Sequence, residues 1–356
     1  MPTLTEIRLA IERRRALKAE CIDLATGALL LPPSHDTVSA MQSVRLCSYS
    51  YTASIGLRST RERLADLLSG LLAANIRVEN VALVSGGTEG VFLCLAVAGP
   101  KRWLHIWPGW HTIKQMSTIL NMTTELCSLA DVKSIVQREE GAGLFINTPV
   151  NPTGEYVHLD LIKDGIQHNV GSIIVDLTYM GITAGDYTEY FRRLIHYGLD
   201  YLDHCILVFS LSKLFRLPGL RLGFIIASDN MINRVAHAKS ATTLNMPVEL
   251  QELLASLWGN VHDEMAEVGQ FVQTRKEWFL RECAARRLNS VAKDGTHYGM
   301  ISLPHADVDI CTLAERGIFV APCGDMGVPN AIRVNLSVQE SGLIRMMDSL
   351  AACHQR

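Results

Sequence analysis

Between about residues 60 and 230 the hydrophobic positions follow two alternating rhythms. Leu64, Leu67, Leu68, Leu71 and Leu72 share one face at helical spacing, with Ser59 or Thr60 placed to cap the start. Between such stretches stand short, nearly unbroken apolar runs: VALV (81–84), LHIW (104–107), GLFI (143–146), SIIV (172–175), CILVF (205–209) and LGFII (222–226). A run that is apolar on both faces suits a strand buried on both sides, as in a mostly parallel sheet. Strands alternating with helices make βαβ units, so the pattern predicts a doubly wound α/β unit.

The rhythm changes after a long helical stretch at about 262–288. YGMISL (298–303), GIFV (317–320) and IRVNL (332–336) read as strands, and SGLIRMMDSLAACH (341–354) as a closing helix. These predict a smaller α+β unit, to which the N-terminal segment returns. The expected division is a large domain over 45–255 and a small domain formed by 1–44 with 256–356. No internal repeat, low-complexity tract or flexible linker interrupts the chain.

Composition narrows the function classes. Of 356 residues, 48% are hydrophobic and 19% charged, with a net charge of -3, so the chain suits a globular fold and lacks the basic excess of a nucleic-acid partner. The apolar runs stop well short of a membrane span. MPTLTEIRLAIERRRALKAE reads as a charged amphipathic helix without the apolar centre of a secretory signal. The nine cysteines include no CxxC pair, which points to reduced thiols, no metal site and a cytoplasmic location.

Chemistry concentrates where strands end, the place at which open α/β sheets bind ligands. VALV is followed by Ser85-Gly86-Gly87-Thr88-Glu89-Gly90, a glycine turn entering a helix whose free N–H groups favour phosphate. Taken alone, that turn is equally a plain strand–helix junction. GLFI runs into Asn147-Thr148-Pro149-Val150-Asn151-Pro152-Thr153-Gly154, where two prolines stiffen the backbone that presents Asn151. SIIV ends in Asp176, with Tyr179 three residues on, and CILVF leads into Ser210-Leu211-Ser212-Lys213 and then Pro218-Gly219-Leu220-Arg221-Leu222-Gly223. Singly, such an Asp is a helix cap and such a Lys a surface charge; the order of the segments is what carries weight.

SGGTEG, NPTG, D-x-x-Y, S-x-S-K, GLRLGF and IRVNL, in this succession, resemble the class I/II aminotransferases that depend on pyridoxal 5′-phosphate (PLP), over almost the whole chain. The resemblance implies the fold-type-I architecture and a set of roles. Lys213 would carry the cofactor as a Schiff base and serve as general base at the substrate Cα. Asp176 would face the pyridinium nitrogen. Asn151 and Tyr179 would meet the 3′-oxygen. Ser210 and Arg221, with the amides of Gly87 and Thr88, would hold the phosphate, and Ser212 would be a further cofactor contact. Trp110 would stack on the ring, Arg333 would clamp the substrate carboxylate, and Tyr51 would cross a dimer interface to the neighbouring subunit's phosphate. The implied partners are an amino acid, a 2-oxo acid and a second copy of the chain, with active sites shared between the two subunits.

Some positions depart from the family pattern. The usual D-E-A-Y is Asp176-Leu177-Thr178-Tyr179, Ile113 stands where many short-chain relatives carry a tyrosine, and Arg216 stands in SKLFRLPG where small residues are usual. Arg216 reads either as a solvated loop residue or as a charge at the substrate entrance. Spacing does not bring Trp107, His111 or the His297-Tyr298 pair to the pocket, and core or surface roles are expected for them.

The short chain and PGLRLG most resemble the branch of histidinol-phosphate aminotransferases and threonine-phosphate decarboxylases. Transamination leads, and a PLP decarboxylase, lyase or cyclase is the alternative, because the sequence does not show which substrate bond stands perpendicular to the ring. A PLP-binding regulator is a third class. It would need an N-terminal winged helix, for which the stretch before residue 45 is too short.

Overall fold

The computed structural model describes residues 2–44, 50–138, 140–168, 170–182 and 188–354. The proposed large-domain start at 45, and Cys47, lie outside these residues.

After β1 (Ile22–Asp23), the strands of the first half build one seven-stranded sheet. They are β2 (Val81–Val84), β3 (Arg102–Ile106), β4 (Thr123–Cys127), β5 (Gly143–Asn147), β6 (Ser172–Asp176), β7 (Cys205–Ser210) and β8 (Gly223–Ile226). Their spatial order is β2-β8-β7-β6-β5-β3-β4, parallel except for β8, which runs antiparallel to both neighbours. β2, β5, β6 and β8 are buried at every position, as unbroken apolar runs require. β4 has no apolar run to announce it: TTELC leaves most of its positions at least partly exposed on one edge of the sheet, whereas β2, on the other edge, is buried.

Two apolar layers cover the sheet. One face packs on Leu64, Leu68, Leu144, Val175 and Phe209, the other on Val91, Leu95, Trp103, Phe145 and Ile206. The helix Gly86–Ala98 crosses close over β7, where a Cβ on Gly90 would lie 2.8 Å from a Val208 methyl.

The second unit holds an antiparallel sheet. Its strands β9 (Ser290–Val291), β10 (Tyr298–Ser302), β12 (Ala321–Pro322) and β13 (Ala331–Asn335) lie in the order β12-β13-β10-β9, while β11 (Ile318–Phe319) pairs in parallel with β1. A separate core joins Ile7, Ile11 and Leu24 from the N-terminal segment to Phe279, Ile301, Ile332 and Leu350. Leu29, Ala40, Leu253, Val268 and Val272 belong to the large core. We therefore propose that the units divide close to residues 28 and 275 rather than at 45 and 255. Five described cysteines are buried, Cys311 is exposed, and the eight described are free. Among the described residues no helix is long and apolar enough to cross a membrane.

Candidate active site

The β2 strand delivers the chain to the first turn of the helix Gly86–Ala98, whose leading N–H groups have no partner within the helix. Gly86 sits at φ +82, and a Cβ there would lie 2.6 Å from an Arg221 guanidinium nitrogen. A Cβ on Gly87 would meet Thr178 Oγ1 at 2.9 Å and Ser210 Cβ at 3.2 Å. The two glycines are thus what lets the turn approach the ends of β6 and β7. Arg221 is held in a left-handed conformation and donates through Nη1 to Pro218 O at 2.9 Å. Ser212 Oγ is buried with no partner among the described residues. Cation, hydroxyls and helix N-terminus converge on one cavity, with Ser212 Oγ left without a partner and only one Arg221 nitrogen engaged by Pro218 O, and that donor set fits a phosphate monoester.

Asp176 ends β6, in register with Asn147 at the end of β5. Asn147 Nδ2 donates to Asp176 Oδ2 at 3.1 Å, and Thr178 donates to Oδ1 through its amide at 3.0 Å and its hydroxyl at 2.6 Å. Burial pushes this carboxyl up to about 6, against the opposing effects of Thr178, Asn147 and Lys213.

Lys213 follows β7, half-buried, and loss of solvation lowers its pKa from the usual lysine value. Its Nζ donates to the carbonyl of Gly27. Tyr179 is buried, and burial together with the neighbouring Tyr298 raises its phenol well above the ordinary range. Trp110 leans on Phe145 with ring centroids 6.4 Å apart. One cavity of about 140 Å³ is lined by Gly87, Thr88, Trp110, Asn151, Asp176, Tyr179, Ser210, Ser212, Lys213 and Arg221, together with Asn147, Thr178 and Pro218.

Two expected residues lie off this lining. Arg333, on β13, is buried behind it: Nη1 donates to Asn151 Oδ1 at 2.8 Å, Nη2 to Ala25 O at 3.0 Å, and the guanidinium carbon stands 4.1 Å from the centre of the Tyr298 ring. Tyr51 is 86% exposed on the single chain.

Arg216 is neither a solvated loop residue nor an entrance charge. It is 5% exposed and paired with Glu264 and, at 2.6 Å, with Glu267. Glu264 in turn accepts from Ser34 Oγ and, at 2.7 Å, from Thr37 Oγ1. A long cation three residues past Lys213 reaches acids of the helix Val261–Ala285, a contact that loop composition does not reveal.

Sequence reasoning assigned no role to Asn147, Thr178 or Gly27, and expected a core or surface place for Tyr298, which is buried in the large core. A hydroxyl two residues past a strand-end Asp was a readable signal for Thr178. For Tyr298 there was none, since its partner Tyr179 is 119 residues away in the chain.

Curated proteins similar to this chain include the histidinol-phosphate aminotransferase of Thermoanaerobacter pseudethanolicus, 24% identical over 208 residues, 58% of this chain and 56% of that protein. The aspartate aminotransferase of Thermococcus kodakarensis is 24% identical over 310 residues, 84% of this chain and 79% of that one. The match thus spans little more than half the length of the first relative. Among solved structures, the aspartate aminotransferase of Rhizobium meliloti superposes with a TM-score of 0.86 at 16% identity, covering 100% of this chain and 96% of that one. An aspartate aminotransferase double mutant of Thermus thermophilus gives 0.84 at 17% identity, covering 99% and 96%. At such identities the structures speak for the fold, whereas the family's own sequence profile extends over residues 19–350. The chain belongs to the family of class I and II aminotransferases.

Proposed function

We propose that the protein is a PLP-dependent aminotransferase that moves an amino group between an amino acid and a 2-oxo acid, with Lys213 as the residue that holds the cofactor. One observation carries the reading: a single cavity unites a lysine amine, a buried carboxylate and a cup of phosphate donors. PLP supplies, when bound, an electron sink conjugated to the substrate nitrogen.

The chain's own residues do the rest. Gly87, Thr88, Ser210, Ser212 and Arg221 bind the phosphate, and Trp110 covers the ring. Asp176 keeps the ring nitrogen protonated, a cation that also relieves the cost of burying the carboxylate. Asn151 and Tyr179 bind the phenolic oxygen. Lys213 Nζ, with a pKa already lowered by burial, takes the proton from the substrate Cα. Arg333 binds the substrate carboxylate with its planar fork. Asn151 Oδ1 and Ala25 O now hold one nitrogen of that fork each, so an incoming carboxylate competes with both. Approach of the small unit, which carries Arg333, excludes water.

The reading extends to a homodimer in which Tyr51 reaches the other subunit's phosphate, supported by a large aromatic side chain left exposed on one chain. It also places the enzyme in the cytoplasm, where buried thiols such as Cys94 and Cys205 stay reduced.

The test is spectroscopic. Protein supplied with PLP should turn yellow, borohydride should fix the cofactor on Lys213, and Lys213→Ala should do neither. A panel of amino acids, phosphorylated ones included, should then bleach the band in the absence of any 2-oxo acid. A colourless wild-type protein, or an adduct on a different lysine, would overturn the reading.

A further inference from the structure

Among the buried side chains near the cavity that have no task in the proposed function is Tyr298. Tyr298, on β10 of the small unit, is 2% exposed, and its hydroxyl reaches two groups. It donates to Gly27 O at 3.0 Å and lies 3.1 Å from Tyr179 Oη. A phenol has one proton to give. The carbonyl of Gly27 can only accept, so the Tyr298 proton is committed there, and Tyr298 must accept from Tyr179. The Tyr179 proton therefore points at Tyr298 rather than into the cavity. The Arg333 guanidinium, 4.1 Å over the Tyr298 ring, holds that ring in place through cation–π attraction. Gly27 O also accepts from Lys213, so one carbonyl serves both the amine and the phenol.

We propose that Tyr298 is a positioning residue that tempers Tyr179: by accepting its proton, Tyr298 weakens the hydrogen bond Tyr179 can give to the cofactor's phenolic oxygen. The inference rests on the PLP reading of the site. Its consequence is a pH setting. The phenolic oxygen and the nitrogen contributed by Lys213 compete for one proton, and a stronger donor on the oxygen loosens its hold on that proton. Freed from Tyr298, Tyr179 becomes that stronger donor, and the nitrogen gives its proton up at lower pH.

The experiment is a pH titration of the visible absorption band of the PLP-loaded protein, wild type against Tyr298→Phe, which removes only the hydroxyl. The midpoint should fall by roughly 0.5 pH unit or more in Y298F, the size expected for the loss of one competing hydrogen bond. In a Tyr179→Phe background the same substitution should leave the midpoint where Tyr179→Phe alone puts it, because the effect passes through Tyr179. An unchanged or raised midpoint in Y298F overturns the proposal, as does a full shift in the double variant. A drop in melting temperature with no shift of the band shows a structural role only and overturns it as well. If Y298F fails to load, Tyr298→Leu is titrated in its place with the same criteria. A wild-type protein that forms no band at all instead sinks the PLP reading beneath it.

Discussion

Asp176 gives the site a pH signature that can be read on folding. Its carboxyl is raised from 3.8 to about 6 by burial. Between those values the folded protein keeps a proton that the unfolded chain has released, so this group's contribution to stability falls as pH rises through the window. In cofactor-free protein, Asp176→Asn should therefore raise the melting temperature above about pH 6, with the gain vanishing below about pH 4. Calorimetry across that range checks it, and a pH-independent difference would contradict it. The same variant should retain PLP poorly, since an amide cannot balance the ring cation. At this scale the sequence singled out residue types with one compelling task near a strand end, Asp176, Lys213 and Arg221, and the fold brings these three to one cavity. Tyr298 was harder, because its partners Tyr179 and Gly27 lie far away along the chain, whereas Thr178 had the local signal of a hydroxyl two residues past Asp176.

Helices and turns explain the next set of outcomes. Arg216 fastens the turn after Lys213 to the helix Val261–Ala285 through Glu264, which is 2% exposed. Arg216→Met strands that carboxylate in the interior and should cost about 3 kcal/mol in urea denaturation, since an orphaned buried charge is worse than no ion pair. Adding Glu264→Gln should recover a large part of the loss while substrate preference stays unchanged. Gly90→Ala should cost about 1–3 kcal/mol, because its Cβ would stand 2.8 Å from Val208 and the helix has to move off β7. Strands buried on both faces were readable from apolar runs alone. The edge strand β4 was not, because solvent takes part in deciding its residues. Nor was the reversed direction of β8, since an apolar run has no polarity.

On the scale of the whole molecule, two cores and one proposed partner decide the behaviour. Lys213→Ala and Tyr51→Ala should each give dimers with little turnover. If Tyr51 serves the opposite subunit, mixing the two and letting them exchange should restore about a quarter of the sites, because half of the dimers become hybrids with one intact site each. No recovery in proven hybrids would place Tyr51 in its own subunit's affairs. The late change of rhythm led to the expectation that the N-terminal segment returns to the second unit, and Ile7, Ile11 and Leu24 share that unit's core. The path of the segment was not legible, because that depends on partners hundreds of residues away. Between Leu24 and Ala28 the main chain is gripped by carbonyls: Leu24 O takes the Asn335 amide, Ala25 O takes Arg333, Thr26 O and Ala28 O take the Asn335 side chain, and Gly27 O takes Lys213 and Tyr298. Every amino acid owns a carbonyl, so beyond Leu24 and Ala25, whose side chains fill the second core, homologous chains can spell this stretch in many ways and still dock it, whereas losing a single residue would put each oxygen one step out of phase with its donor. Evolution should find spelling cheap to change here and length almost impossible.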